Sequence, residues 1–215
     1  RYAARLALSA LGWRLPTSVS KEDKAVIVFS HSSYWDFYLF LVYMLAVPEL
    51  LEDTWIVMKP QPFGMFGGYA GEILYRLGFI PATNKEGFVQ KVSTELRQKD
   101  RFRLVLSPKG TRSNVNWRSG YYWIAKETDA HLQVVGMDYG QRQLIIVPSR
   151  SFVDDRLLLE QNLKKDMKQI TPLHPNLELH PEILPSHIAV TNGNLICGFY
   201  HLTIVILYFL CFQLL

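Results

Sequence analysis

Apolar runs separated by polar turns recur along most of the chain, and their spacing predicts alternating strands and helices. The continuous apolar run at 25–29 is typical of a strand buried on both faces of a sheet, and residues 102–106 are predicted to form another buried strand. Further strands are predicted at 54–58, 79–80, 132–137 and 144–147. Helices are predicted at 1–15, 34–46, 64–77, 86–98, 119–128 and 154–169. This alternation predicts an α/β domain with a mostly parallel central sheet flanked by helices.

The two ends of the chain differ from this central pattern. Residues 1–15 have one narrow polar strip that holds Arg1 and Arg5. That strip fits a helix packed on the domain, or a helix in the membrane interface with its arginines at the headgroups, and we favour the second. At the other end, residues 188–215 contain no Asp, Glu, Lys or Arg.

The uncharged end predicts a membrane span. A helix over 195–215 would measure roughly 30 Å at about 1.5 Å per residue, the thickness of one hydrocarbon core. A buried core helix is the alternative, although such helices usually keep a polar face. We therefore predict an amphipathic interfacial helix at 1–15, a catalytic domain at 16–170, a linker containing prolines at 171–194 and a C-terminal transmembrane helix at 195–215.

Charge and cysteine content exclude several functional classes. The 215 residues include 23 Lys and Arg against 19 Asp and Glu, a net charge of +4. So mild an excess, without long basic runs, is not typical of nucleic-acid binding, and we expect no nucleic-acid partner. The two cysteines, Cys197 and Cys211, both lie in the uncharged end. The central domain therefore has no cysteine for catalysis or for metal binding.

His31 and Asp36 are the first candidates for chemistry. On an ideal helix, residues five apart point about 140° away from each other. The two side chains can meet only if His31 lies in the turn after the first strand and Asp36 lies in the first turn of the next helix. Asp36 could then accept from one imidazole nitrogen and leave the other free to act as a base. Alternatively, Asp36 forms a capping box with Ser33 and serves only the helix end.

A second candidate follows the strand at 102–106. Lys109 and Arg112 offer positive charge, Thr111 offers a hydroxyl, and Gly110 lets the backbone approach a ligand closely, so an anion such as phosphate suits this turn. An ordinary basic turn is the alternative. Both candidates follow strands of a parallel sheet, so both should open at the same edge. A base beside an anion site suggests transfer to or from a hydroxyl of a phosphorylated compound.

In these residues the chain resembles the phospholipid/glycerol acyltransferase family, which includes the lysophosphatidic acid acyltransferases. Five blocks agree in order over about 24–147: His-x4-Asp at 31–36, Gly-x-Ile-Pro at 78–81, the Glu-Gly-Thr-Arg position at 109–112, a Trp-Lys-Ser-Gly-type stretch at 117–120, and the segment 135–139. Three positions depart from the family: Lys109 replaces a glutamate, Asn84 an arginine, and Gln133 a proline. Lys109 could restore the positive charge missing at Asn84, or it could point into solvent.

The resemblance implies a membrane-bound O-acyltransferase. It would move a fatty acyl group from acyl-CoA, as co-substrate, to a hydroxyl of a lysophospholipid or glycerol phosphate. His31 would be the general base and Asp36 its orienting partner. The family pattern assigns the acceptor pocket to Lys109, Gly110, Thr111, Arg112 and Asn84. Attack would be direct, without an acyl-enzyme, and the active site would face the cytosolic side of the membrane.

Two other classes remain open at this stage, and no metal or other cofactor is expected. The six histidines show no spacing typical of metal ligands. A lipid hydrolase with a serine nucleophile typically carries it in a Gly-x-Ser-x-Gly motif, which the sequence lacks. A catalytically impaired, lipid-binding scaffold is the stronger alternative, because the changes at Lys109 and Asn84 fall in the implied acceptor pocket.

Overall fold

The computed structural model describes residues 1–17, 19, 22–83, 87–110 and 116–174 of the chain. The strands are β1 (Lys24–Phe29), β2 (Thr54–Met58), β3 (Phe79–Pro81), β4 (Phe102–Leu106), β5 (His131–Asp138) and β6 (Gln143–Ile146). The helices are α1 (Tyr2–Ala10), α2 (Tyr34–Ala46), α3 (Pro48–Leu51), α4 (Tyr69–Arg76), α5 (Phe88–Arg97), α6 (Gly120–Thr128) and α7 (Arg156–Met167), with a 3-10 helix at Gln61–Gly68.

Within the described residues, the strands form one sheet in the order β3-β2-β4-β1-β5-β6. The first five strands run parallel, and β6 pairs antiparallel with β5. The predicted α/β fold with a mostly parallel sheet is confirmed. The edge strand β6 reverses direction because only a short turn joins it to β5, and a parallel connection needs a crossover of a dozen or more residues.

The sheet separates two apolar cores. Ile27 and Phe29 of β1 face the core that also holds α1, α2 and α4. Val26 and Val28 face the other core, which holds α5, α6 and α7. Burial on both faces explains why residues 25–29 of β1 form a continuous apolar run rather than an alternating one.

Helix α1 packs on the domain but leaves much of its apolar surface exposed. Leu8 is buried against α2, while the most exposed apolar side chains near it are Tyr2 (87%), Leu6 (72%) and Leu11 (60%). Arg5 ties this helix to the domain, because its Nε donates to the Ala46 carbonyl at the end of α2, at 2.9 Å; the position of the helix at a membrane interface stays a prediction. The helix is also shorter than predicted, since Gly12 follows it with a φ of 73°.

The predicted helix at 64–77 is wrong in its first half. The backbone there is a 3-10 helix, and the α-helix begins only at Tyr69. Glycines weaken an α-helix, and this stretch has several. Gly71 also has a packing role, because a Cβ at this position would lie 2.6 Å from the Phe63 carbonyl oxygen.

No helix in the described ranges is long and apolar enough to cross a membrane. The predicted transmembrane helix at 195–215 lies outside the described residues, as does the linker beyond residue 174. Both therefore stay predictions from the sequence.

Near the end of β5, Gly136 lets the backbone lie close to Ser30, after β1, and to Ile170, after α7. A Cβ there would lie 2.8 Å from the Ser30 Cβ and 2.9 Å from Ile170 Cδ1. We predict that Gly136→Ala lowers the free energy of unfolding by about 1–3 kcal/mol through overpacking. Gly64→Ala is the matched control, because nothing lies within 4 Å of its ideal Cβ. Thermal unfolding followed by circular dichroism compares the two, and equal melting temperatures would contradict the packing argument.

Candidate active site

The turns after β1 and β4 lie side by side at the carboxyl edge of the sheet. The two strands are neighbours, with Val28 paired to Leu106. The helix that follows β1 packs on one face of the sheet, and the helix that follows β4 packs on the other. Open α/β sheets bind their ligands at the carboxyl ends of two neighbouring strands whose following helices lie on opposite faces. His31 and Lys109 each lie three residues beyond that pair, so the fold places both candidate turns at this point.

The structure brings His31 and Asp36 together. His31 lies in the turn between β1 and α2, and Asp36 lies in the first turn of α2. Nδ1 of His31 is 3.7 Å from Oδ2 of Asp36, with side-chain exposures of 24% and 2%. This separation exceeds that of a hydrogen bond. The Ser30 N–H donates to the Val135 carbonyl at 2.9 Å, which ties the start of this turn to β5.

The Asp36 carboxylate is surrounded by donors. Oδ2 accepts from the backbone N–H groups of Ser32 and Ser33, both at 2.7 Å. Oδ1 accepts from the Tyr139 hydroxyl at 2.8 Å. A buried carboxylate needs such donors, because a buried charge without hydrogen-bond partners is strongly destabilising. The surrounding donors fix the carboxylate next to the imidazole.

Asp36 also caps α2, as the alternative interpretation expected. The Ser33 hydroxyl accepts from the Trp35 N–H at 3.2 Å, while the Asp36 carboxylate accepts from the Ser33 N–H. This reciprocal pair is a capping box. The two interpretations of Asp36 are therefore compatible, since the same carboxylate closes the helix end and faces His31.

The second turn holds a buried cation. Lys109 has only 8% of its surface exposed, so the alternative that it points into solvent is wrong. Gly110 has a φ of 67°, a left-handed conformation that glycine adopts without strain. The Arg118 N–H donates to the Pro108 carbonyl at 2.9 Å and joins this turn to the start of α6.

A cleft of about 790 Å³ opens beside this second turn, on the α5 and α6 side of the sheet. Val57, Leu106 and Tyr121 contribute to its apolar lining, and Ser107 and Arg118 are among its polar residues. Its size is that of a small-molecule site. Gly110 lines the cleft, whereas His31 and Asp36 are not among its described lining residues.

Three of the predicted acceptor residues, Asn84, Thr111 and Arg112, lie outside the described residues, and their roles stay predictions. Within the described ranges, no group of three or more His, Cys, Asp and Glu side chains could hold a metal ion.

Sequence reasoning gave Tyr139 no role. The residue ends the 135–139 block, yet nothing in the sequence indicates that its hydroxyl reaches Asp36. The contact depends on β5 being the neighbour of β1, which only the strand order reveals.

Comparison with known proteins agrees with this geometry. A family model described as Acyltransferase matches residues 13–149, more than half of the chain. The fold is similar to that of the 1-acyl-sn-glycerophosphate (LPA) acyltransferase PlsC from Thermotoga maritima, with a TM-score of 0.54 and 12% sequence identity over 77% of this chain and 74% of that chain. No curated protein matches the sequence. Because the matched region includes both turns at the carboxyl edge and all six strands, we conclude that this chain belongs to the acyltransferase family.

Proposed function

We propose that the protein is a membrane-bound O-acyltransferase that moves a fatty acyl group from an acyl thioester, acyl-CoA, to a hydroxyl of a lysophospholipid or glycerol phosphate. The observation that carries this proposal is the His31 imidazole, 3.7 Å from a buried carboxylate at the edge of the sheet where ligands bind. The buried Lys109 and the left-handed Gly110 of the neighbouring turn support a phosphorylated acceptor.

His31 has the surroundings of a general base. Its Nδ1 faces Asp36, so the tautomer assigned to the neutral ring carries its proton there and leaves a lone pair on Nε2. The Asp36 charge stabilises the imidazolium that forms when Nε2 takes a proton. Contacts of this kind are often long without substrate and shorten in the reacting complex.

The proposed reaction is a direct acyl transfer. The acceptor hydroxyl gives its proton to His31 Nε2 while its oxygen forms a bond to the thioester carbonyl carbon. The tetrahedral intermediate then expels the thiolate as the carbon–sulfur bond breaks. The imidazolium returns the proton to the leaving sulfur, so the base is regenerated and no acyl-enzyme forms.

The turn after β4 would hold the acceptor phosphate. Gly110 lets the backbone come close to a ligand, and Lys109 brings positive charge to the turn. We extend this site to Thr111, Arg112 and Asn84 from the family pattern. The adjoining cleft, with an apolar lining and polar residues at its edge, suits a long and partly apolar substrate.

Exposed apolar surface supports attachment to a membrane. Tyr2, Leu6 and Leu11 present unpartnered apolar area on α1 and just after it. After α7, the Thr171 N–H donates to Asp138 Oδ2 at 3.0 Å, at the carboxyl end of β5. The described residues that follow α7 therefore pass the edge of the sheet that carries His31.

A lipid-binding scaffold without catalysis is the second candidate. It is favoured by Lys109, which places a cation where the family has a glutamate, and by Asn84, which replaces an arginine. Retained binding of lysophosphatidic acid by the wild-type chain, without release of CoA from palmitoyl-CoA, would favour the scaffold.

We predict that His31→Ala lowers acyl transfer by about 10²- to 10⁴-fold, because general-base catalysis contributes that much. The assay follows labelled palmitoyl-CoA to lysophosphatidic acid, with and without the acceptor. His131→Ala is the matched control, since His131 lies at the opposite end of β5 and pairs with Glu22 at 3.6 Å. Wild-type rates in a folded His31→Ala protein would overturn the mechanism.

Asp36→Asn separates orientation of the base from helix capping. The amide keeps one oxygen to accept from the turn, so we expect unfolding to become easier by only about 1 kcal/mol. The loss of charge should lower the transfer rate about 10²-fold or more. Chemical denaturation and the transfer assay measure the two effects. A stability loss with no loss of rate would show that Asp36 serves only the helix end.

We predict that a chain ending at Pro185 is extracted from membranes without detergent. The predicted span at 195–215 is then absent, and only the apolar surface of α1 can bind the bilayer. Adding Leu6→Ser and Leu11→Ser should remove that residual binding at little cost in stability, because both side chains are exposed. If the truncated chain still needs detergent at high salt and alkaline pH, the end of the chain is not the anchor.

A further inference from the structure

Tyr139 joins the candidate site to the carboxyl end of β5. The residue directly follows that strand, and its hydroxyl donates to Oδ1 of Asp36 at 2.8 Å. The two residues are 103 positions apart in the sequence. The bond therefore links the helix that carries Asp36 to a separate strand of the sheet.

The surroundings of Tyr139 hold its ring in place. The Trp13 ring packs edge-on against it, with 5.2 Å between ring centroids and planes at 87°. The backbone N–H of Tyr139 donates to the Thr171 carbonyl at 2.8 Å. The preceding residue, Asp138, accepts from the N–H groups of Gln141 and Thr171, at 2.6 and 3.0 Å. Backbone and ring are both fixed, so the direction of the hydroxyl is set by the fold.

The hydroxyl is a donor throughout the accessible pH range. Burial raises the pKa of Tyr139, and the Asp36 charge and hydrogen bond raise that pKa further. Among the described residues, the charged or titratable groups near this contact include His31, Arg14, Tyr43 and Asp138. Arg14 donates to the Gln141 carbonyl, and Asp138 is engaged with backbone N–H groups.

We propose that Tyr139 is a positioning residue of the active site, whose hydroxyl fixes the rotation of the Asp36 carboxylate and draws part of its charge away from His31. Oδ1 is held by Tyr139, so Oδ2 stays between the Ser32 and Ser33 N–H groups and the imidazole. The inference rests on the proposed role of His31 as the base. Tyr139 itself acts only through Asp36.

Removing the hydroxyl changes the charge felt by His31. In Tyr139→Phe, Oδ1 loses its donor in a buried position, so the carboxylate becomes more basic and stabilises the imidazolium more strongly. The titration midpoint of His31 then moves to higher pH. A larger fraction of the base is protonated at a given pH, and the acidic limb of the kcat/KM profile shifts upward with it. The freed carboxylate can also rotate, which lowers kcat.

Tyr43→Phe is the matched control. Tyr43 also packs edge-on against Trp13, with ring centroids 6.4 Å apart, and its hydroxyl donates to the Arg14 carbonyl at 2.6 Å. Burial raises the pKa of Tyr43 to about 12, so it too is a protonated donor. The substitution removes a comparable buried hydroxyl without touching Asp36.

The experiment measures the titration of His31 and the kinetics of transfer on the full-length chain in detergent micelles. Histidine labelled with ¹³C reports the imidazole signals by NMR, and His31→Ala assigns the signal of interest. In Tyr139→Phe we expect the midpoint to rise by roughly 0.5 pH unit. We also expect kcat to fall about tenfold at nearly constant KM. Tyr43→Phe should leave the midpoint and kcat unchanged.

An unchanged or lowered His31 midpoint in folded Tyr139→Phe would overturn the inference, as would an equal shift in Tyr43→Phe. The NMR titration is independent of turnover, so the two proposals can fail separately. A midpoint that rises in a chain without acyl transfer supports the positioning contact and refutes the proposed function. A transfer rate that depends on His31, with no shift in Tyr139→Phe, refutes only the role of Tyr139.

Discussion

The buried carboxylate of Asp36 connects three parts of the fold at one point. It accepts from the N–H groups of the turn after β1, it closes the first turn of α2, and it accepts from the Tyr139 hydroxyl at the end of β5. A charge this deeply buried is stable only while its donors stay in place. The position of His31 beside it follows from these constraints, because the imidazole lies in the turn that the carboxylate organises.

The order of the strands gives this point its chemical setting. Because β1 and β4 are neighbours and their following helices leave to opposite faces, the turns that carry His31 and Lys109 open together. A histidine beside a carboxylate, next to a cationic turn at the same edge, suits the transfer to a phosphorylated alcohol that we propose. The exposed apolar surface around α1 suits the membrane attachment that we propose.

The sequence predicts much of the fold because its signals are local. The apolar run of β1 is buried on both faces, and Ser33 marks the start of α2. The predictions that differ from the structure depend on contacts between residues that are farther apart in the sequence. A 3-10 helix replaces the first half of the predicted helix at 64–77, where Gly71 packs closely on the Phe63 carbonyl, and Arg5 contacts an α2 carbonyl 41 residues away in the sequence. The His31–Asp36 pair could be predicted because it spans one turn, whereas Tyr139 could not, because its contact depends on which strands are neighbours.

A crystal structure of the protein with bound lysophosphatidic acid would show whether the acceptor hydroxyl reaches His31. We expect the acceptor hydroxyl oxygen to lie about 2.6–3.2 Å from His31 Nε2, with the phosphate at the turn of Lys109 and Gly110. A hydroxyl outside hydrogen-bond reach of His31, even through one water molecule, with the phosphate held away from that turn, would contradict this expectation.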